Sequence, residues 1–177
     1  MVIMSKIKIT PNAMMPIVGI VLFSFVFIGG AYFVLSAGSQ PKVNIANYSK
    51  VDKNKPIIEV GETSYDMGTI KVSDTKVKEF EVKNVGSKPL LLSEISSSCG
   101  CTSAQIIYKS TLSKTFSMHS QSDYVAQIEP NTSAIVKVVY MPFTMPVYGI
   151  VERQVFMSTN DPSKPKLEFN IKANVQK

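Results

Sequence analysis

Residues 167–175 read LEFNIKANV, and apolar and polar side chains alternate at every position. In an extended chain successive side chains point to opposite faces, so this period of two predicts a β-strand with one buried face and one wet face. The side chains predicted to be buried are those of Leu167, Phe169, Ile171, Ala173 and Val175.

Shorter segments of the same kind fill the chain from Pro56 onwards. Turn signals such as Asn84–Ser87 and Asn160–Pro162 separate them. No segment in this region has helical periodicity, and about seven strands within roughly 120 residues predict an all-β fold, an antiparallel β-sandwich. The predicted strands are a short edge strand at Tyr65–Asp66 and runs at 57–60, 78–83, 89–95, 134–140, 150–158 and 167–175.

The N-terminal region has a different character. No charged residue occurs between Thr10 and Pro41, and residues 17–35 read IVGIVLFSFVFIGGAYFVL. About 20 apolar residues are enough to cross a bilayer as a helix, so this segment predicts one N-terminal transmembrane helix. Ser36-Ala37-Gly38 supplies the small residues of a cleavage site. The apolar run is longer than the roughly 7–15 residues of a cleaved signal peptide, so we expect an uncleaved signal anchor.

These patterns predict a three-part chain. Residues 1–37 form a cytoplasmic tail and transmembrane signal anchor, 38–55 a polar spacer, and 56–177 the β-sandwich domain. A short N-terminal tail before a folded exported domain is the common arrangement. We therefore expect a single-pass protein of the cytoplasmic membrane, with the lipid bilayer bound by the N-terminal helix and the C-terminal domain outside the cytoplasm.

The charge distribution excludes one class of partner. The chain has 177 residues and a net charge of +6, but its lysines are scattered among acidic residues rather than clustered. A nucleic-acid-binding face needs a clustered basic patch, so we expect no nucleic-acid partner.

Four motifs occur in a recognisable order. They are YDMGTI at 65–70, FEVKNVGSKPL at 80–90, SSCGCT at 97–102 and STNDP at 158–162. Together they resemble the domain-of-unknown-function family 1573, a bacterial group of exported immunoglobulin-like domains. The resemblance covers residues 57–175 and implies an immunoglobulin-like sandwich in the bacterial cell envelope, in the periplasm or outside the cell. Such a fold serves many functions, so it does not name one.

Cys99 and Cys101, the only cysteines of the chain, flank Gly100. Three interpretations stay open. The pair is a structural corner in which one thiol is buried, a disulfide that needs a kink at Gly100 and is either structural or redox-active, or half of a metal site. Two thiolates suit copper(I) or zinc, and the candidates for completing that site are Met118, His119, Met141 and Met145.

Residues 103–129 form a long Ser- and Thr-rich segment after the cysteines, whereas the family has a short connection there. We expect a functional or mobile loop, with Tyr108, Lys109, Phe116 and Tyr124 as its candidate partner-contact residues. No phosphate-binding loop, paired-carboxylate motif or catalytic triad is present in the sequence, so we expect no enzyme and no cofactor, with copper or zinc as the alternative. The expected function is protein binding or scaffolding in the cell envelope.

Overall fold

The computed structural model describes residues 23–28, 30, 46–120 and 124–177. The chain divides into two compact units, Met1–Lys42 and Val43–Lys177. In the first unit, residues 23–28 and Gly30 are helical. Among the described residues, no helix combines the length and hydrophobicity needed to cross a membrane. The predicted anchor covers residues 1–37, and all of it except 23–28 and 30 lies outside the described residues. The first part of the predicted spacer, 38–45, lies outside them as well.

The second unit is all-β, with two sheets of five strands. The first sheet has the order β1-β3-β8-β5-β6 and contains β1 (Ile58–Glu59), β3 (Lys76–Asn84), β5 (Thr102–Tyr108), β6 (Thr111–Leu112) and β8 (Ser133–Tyr140). The second has the order β2-β10-β9-β4-β7 and contains β2 (Ser64–Lys71), β4 (Leu90–Ser97), β7 (Ala126–Ile128), β9 (Gly149–Thr159) and β10 (Lys166–Gln176). A 3-10 turn covers Pro142–Thr144.

The core lies between the two sheets. Phe80 of β3 stacks on Phe169 of β10 with ring centroids 4.6 Å apart, which joins the sheets at their centre. The alternation predicted for the last strand is confirmed, because its five apolar residues are all buried in β10. Each of these strands thus contributes one apolar face to a shared core, as expected for a sandwich.

The sandwich is mixed rather than wholly antiparallel, and this corrects the sequence-based prediction. β2 and β10 pair in parallel, with Ile171 opposite Tyr65 and Val175 opposite Ile70. A tight turn forces its two strands to be antiparallel, but β2 and β10 are far apart in the chain and no such constraint acts on them. The strand count is also higher than predicted, because β5, β6 and β7 were missed.

Those three strands lie between residues 102 and 128, so the prediction of one long loop over 103–129 was wrong. β5 forms a hairpin with β6 through Lys109 and Ser110, which have positive φ values of 48° and 63°. Two successive residues with positive φ are typical of the two-residue turn that closes a β-hairpin. Asn-Gly or Asp-Gly usually occupies such turns, and Lys-Ser carries no such signal.

The two ends of the sandwich differ in what they contain. At one end, Ser87 N donates to Lys55 O over 3.0 Å, and Ile58 pairs with Asn84, so the chain enters the domain there. At the other end, Tyr140 pairs with Lys76 on one side and with Thr102 on the other, directly after the cysteines. β8 connects the two ends, and its eight residues separate them by about 25 Å.

Candidate functional site: the cysteine corner and its apolar rim

Residues Ser98–Cys101 connect β4 of one sheet to β5 of the other. Cys99 and Cys101 form a disulfide bond here, with Cα atoms 5.3 Å apart, and both residues are buried. We call this connection the cysteine corner. While the bond is intact neither sulfur is a thiolate, so neither can act as a strong metal ligand.

Hydrogen bonds to the backbone fix the cysteine corner. The buried Ser97 hydroxyl lies 2.8 Å from Cys99 O and 2.7 Å from Thr102 O. The chain turns at Gly100 as predicted, but Gly100 has no positive φ, and an added Cβ would lie 3.5 Å from the Met145 Sδ atom, an ordinary contact distance. The turn therefore does not depend on the conformational freedom of glycine, which corrects the role predicted for this residue.

Arg153 contacts the disulfide from β9, and sequence reasoning missed it. Its Nε–H group donates to Cys101 Sγ over 3.3 Å, and its Nη1 donates to Glu152 O over 2.9 Å. Arg153 pairs with the buried Ile171 and alternates with the buried Val151 and Val155, so it occupies the core-facing side of its strand. The sequence did contain a signal for Arg153, because an arginine occupies a position between Val151 and Val155 where the alternation of β9 predicts an apolar side chain.

Thr102 and Tyr140 lie opposite each other at this end of the sandwich, and each carries a hydroxyl group. The Thr102 hydroxyl lies 3.4 Å from Cys99 Sγ and 3.9 Å from Cys101 Sγ. Tyr140, opposite Thr102 in the β5–β8 ladder, is fully buried. Its hydroxyl is the only buried side-chain oxygen or nitrogen within the described residues that has no hydrogen-bond partner. Burial raises the pKa of Tyr140, and the positive charge of Arg153 partly offsets that effect.

This unpartnered hydroxyl gives a stability prediction. We expect Tyr140→Phe to raise the free energy of unfolding by about 1 kcal/mol, because removing a buried polar group without a partner removes its desolvation cost. Urea denaturation of the full chain, followed by circular dichroism, measures the change. Tyr108→Phe is the matched control of opposite sign, because the Tyr108 hydroxyl accepts from Glu129 N over 3.0 Å and lies 3.1 Å from Thr132 Oγ1. A destabilised Tyr140→Phe would show that the phenol has a favourable partner.

The predicted metal ligands divide into two groups. Met118 and His119 are exposed on the turn that Ser120 N closes by donating to Ser117 O, and their described contacts do not include either cysteine. Met141 and Met145, in contrast, flank the cysteine corner, since Met141 N donates to Cys101 O over 2.8 Å and Met145 packs beside Gly100. Within the described parts of the chain, no group of three or more His, Cys, Asp or Glu residues could hold a metal ion.

The predicted partner-contact residues are mostly not free surface groups. Phe116 is completely buried, forms a bridge to Ala104 and packs on the half-buried Tyr124 with ring centroids 5.2 Å apart, so it cannot contact a partner. This aromatic residue was mistaken for a loop residue because β5 was missed. Burial raises the pKa of Tyr124. Of the four candidates, Lys109 alone is exposed.

Tyr108 is half-buried and serves an internal role. Burial acts to raise the pKa of Tyr108, but hydrogen bonds with Thr132 and with the backbone N–H of Glu129, together with Lys109, outweigh that effect and lower it. Its hydroxyl thereby ties the end of β5 to the turn that precedes β8. Its position in the fold therefore indicates a structural function.

An exposed apolar segment lies beside the cysteine corner, and sequence reasoning missed it. The segment follows β8 and continues into β9. Its Met145 side chain lies beside Gly100 of the cysteine corner. Its large apolar side chains are about half exposed or more, and Ile150 reaches 72%. We call this set the apolar rim: Phe143, Met145, Val147, Tyr148 and Ile150.

Comparisons with known proteins show what the chain is similar to. Residues 58–118 match the model of the family described as "Protein of unknown function (DUF1573)". No curated protein matches the chain significantly. Among solved structures, a protein of unknown function from Porphyromonas gingivalis W83 is 20% identical with a TM-score of 0.54, and the match covers 69% of this chain and 48% of that one. The chain thus spans about half the length of that protein.

Two further solved structures are similar to the chain. A family 123 glycoside hydrolase from Clostridium perfringens is 10% identical with a TM-score of 0.50, over 69% of this chain and 27% of that one. PapD-like domain 7 of human CEP192 is 14% identical with a TM-score of 0.46, over 77% of this chain and 99% of that one. At 20% and 10% identity, the likeness to the Porphyromonas gingivalis protein and to the glycoside hydrolase concerns the fold alone. The resemblance to the DUF1573 family predicted from the motifs is confirmed over residues 58–118, which include the cysteine corner.

Proposed function

We propose that this β-sandwich is a protein-binding module of the bacterial cell envelope, anchored in the cytoplasmic membrane by its N-terminal segment, and that its apolar rim contacts the partner. The observation that carries the proposal is the exposure of five large apolar side chains in one short segment. Exposed apolar clusters of this kind mark interaction sites, and aromatic residues and Met are enriched at protein interfaces.

The chemistry of the apolar rim favours a protein partner over a lipid surface. From Val138 to Val151 the chain contains no charged residue, and the one cation recorded against a rim side chain in the described residues is Lys177, whose Nζ lies 5.9 Å from the Tyr148 ring centroid. Segments that bind anionic membranes combine apolar residues with flanking Lys and Arg. Tyr148 and the methionines instead offer the adaptable apolar contact that protein interfaces use.

The position of the chain entry supports the same arrangement. Lys55 is held at the end of the sandwich that is opposite the cysteine corner. A domain tethered through its N-terminal side at Lys55 would therefore present the apolar rim away from the tether. The disulfide supports an exported domain, because disulfides persist outside the reducing cytoplasm. We propose a periplasmic or extracellular location on this basis.

We further propose that the domain acts by binding, without a metal, a cofactor or catalysis of a metabolic reaction. The mutual bonding of the two sulfurs supports this, since it removes the strongest ligands of the copper or zinc alternative. Metal analysis of the purified full chain tests it, with Cys99→Ser and Cys101→Ser as controls. Stoichiometric copper or zinc that both substitutions abolish would overturn this part of the proposal.

Site-specific crosslinking tests the binding function. A photoreactive amino acid placed at Tyr148 or Ile150 of the full chain in intact cells should capture an envelope protein, whereas the same group at Leu112 should not. Leu112 is a suitable control because it is 52% exposed and lies in β6, towards the opposite end of the sandwich. Crosslinks to lipid alone, or to the chain itself alone, would contradict the proposal.

We expect Phe143→Ser combined with Ile150→Ser to lower the yield of captured partner about tenfold, because losing two exposed apolar contacts removes on the order of 1–2 kcal/mol of binding free energy. Leu112→Ser should leave the yield unchanged. Circular dichroism melting of each variant verifies that the fold is retained. Equal losses in the rim variant and the Leu112 variant would exclude the apolar rim as the contact surface.

A further inference from the structure

We propose that Cys99–Cys101 is an exchangeable disulfide: an external dithiol reduces it by attack on Cys99, and Arg153 stabilises the departing sulfur of Cys101. One dithiol molecule reduces one disulfide bond, and no catalytic turnover is proposed. The inference goes beyond the protein-binding function and does not rest on it, because it concerns only the groups that converge on the cysteine corner.

The first argument is that the Nε–H group of Arg153 has only a disulfide sulfur as its acceptor. Its Nε atom lies 3.3 Å from Cys101 Sγ, and within the described chain it forms no ion pair with a carboxylate. A disulfide sulfur is only a weak hydrogen-bond acceptor, so the described contacts of Arg153 include one strong acceptor, Glu152 O at 2.9 Å, and no negative charge. Reduction would convert the neighbouring sulfur into a thiolate, which is the negative charge that this guanidinium lacks.

The second argument is that a hydroxyl group lies beside the sulfurs. The Thr102 hydroxyl lies 3.4 Å from Cys99 Sγ and 3.9 Å from Cys101 Sγ. Tyr140, the residue opposite Thr102 in the ladder, is fully buried, and its hydroxyl has no hydrogen-bond partner among the described residues. Cations and hydrogen-bond donors beside a sulfur stabilise its thiolate. The cysteine corner is therefore better matched to the reduced state than to the oxidised state.

In the described parts of the chain, no carboxylate is recorded in contact with either sulfur. On β9, Glu152 lies on the exposed face, and on β4, Glu94 accepts from Ser158 Oγ over 2.6 Å. Lys172 of β10 is on the exposed face, while β5 and the segment 141–148 carry no charged residue. Lys76 of β3, which pairs with Tyr140, is half-buried and its Nζ lies 3.7 Å from Asp74 Oδ2. The titratable groups on the core-facing side of the strands at this end are thus Arg153, Tyr140 and Lys76.

The third argument is the asymmetry between the sulfurs. Cys99 is 8% exposed and Cys101 is fully buried, so an incoming thiolate reaches Cys99 first. Arg153 contacts the other sulfur, that of Cys101. In thiol–disulfide exchange the sulfur that is more stable as a thiolate departs faster. Accessibility and charge therefore both favour attack at Cys99 with Cys101 as the leaving group.

The reaction proceeds in two exchange steps. One thiolate of the dithiol attacks Cys99 Sγ, a new S–S bond forms, the Cys99–Cys101 bond breaks, and its electron pair leaves on Cys101 Sγ beside Arg153. The second thiol of the dithiol, after losing its proton to solvent, attacks the mixed disulfide and releases Cys99, which takes a proton from water. The dithiol is oxidised to its disulfide, and two electrons reduce the cysteine pair.

Dithiothreitol is the probe for the rate and the equilibrium. The chain has no other cysteine, so thiol counting on the purified full chain reports this bond alone. We expect Arg153→Gln to slow reduction about threefold to tenfold. It should also lower the equilibrium constant with the dithiol about tenfold, which corresponds to about 30 mV. Arg153→Lys, which keeps the charge but loses the guanidinium fork, should lie between Arg153→Gln and the unchanged chain.

Lys172→Gln is the matched control, because it removes the same charge from the exposed face of the neighbouring strand. It should leave the rate and the equilibrium unchanged. Glutathione, a monothiol, should leave a mixed disulfide on Cys99 that mass spectrometry of peptides locates. If Arg153→Gln does not fold, the comparison of Arg153→Lys with the unchanged chain decides. The proposal is overturned if dithiothreitol does not reduce the bond, if the Arg153 variants match the unchanged chain, or if glutathione attaches to Cys101.

Discussion

Asn84→Ala should lower the free energy of unfolding by about 3–4 kcal/mol, because it leaves several buried backbone groups without partners. Asn84 is fully buried, and its Nδ2 donates to Lys88 O over 2.8 Å and to Ile128 O over 3.0 Å. Its Oδ1 accepts from Gly86 N over 3.0 Å and from Ile57 N over 3.4 Å. One side chain thus connects the chain entry, the turn after β3 and the strand β7.

Urea denaturation of the full chain, with circular dichroism as the signal, measures this loss. Asn170→Ala is the matched control, since the half-exposed Asn170 side chain accepts from Gln154 Nε2 over 2.9 Å on the sheet surface. We expect it to cost less than about 1 kcal/mol, as is usual for exposed substitutions. Similar losses in the two variants would show that the buried amide does not organise this end of the sandwich.

The sequence was informative wherever hydrophobic alternation and turn residues agreed. β3 and β10 alternate strictly, β3 ends at the turn Asn84–Ser87 and β10 follows the turn Asn160–Pro162, and both were predicted within a few residues of their observed bounds. β5 was missed because its turn residues give no turn signal in the sequence. Its hairpin turn uses Lys109 and Ser110 with positive φ, and such conformations are normally signalled by Gly or Asn.

The site was only partly visible in the sequence for a related reason. The motif around Cys99 and Cys101 locates the corner, but the groups that act on the sulfurs come from strands distant in the chain. Arg153 contacts Cys101 from 52 residues further along, and its meaning depends on which face of β9 it occupies. Periodicity assigns alternate faces, yet the polar contacts of a side chain are set by tertiary packing.

Gly86→Ala should destabilise the domain by about 3 kcal/mol, because an added methyl group would overlap backbone atoms that have little room to move. An added Cβ at Gly86 would lie closer than 3.0 Å to Lys55 O, Ile57 N and Pro56 C. The same backbone pairs with this turn, since Val85 N donates to Ile57 O over 2.9 Å and Ser87 N to Lys55 O over 3.0 Å. The methyl group must therefore displace the chain entry and break these hydrogen bonds.

Gly61→Ala is the matched control, because no atom lies within 4 Å of its added Cβ and its φ is not positive. Alanine there should be neutral or stabilising by up to about 1 kcal/mol, since it reduces the freedom of the unfolded chain. Hydrogen exchange of the Val85 and Ser87 amides separates local from global damage: protection lost at these amides alone places the effect at the chain entry. If both glycine variants unfold at the same urea concentration, the prediction is wrong. The close approach of residues 55–57 would then not be the reason for a glycine at position 86.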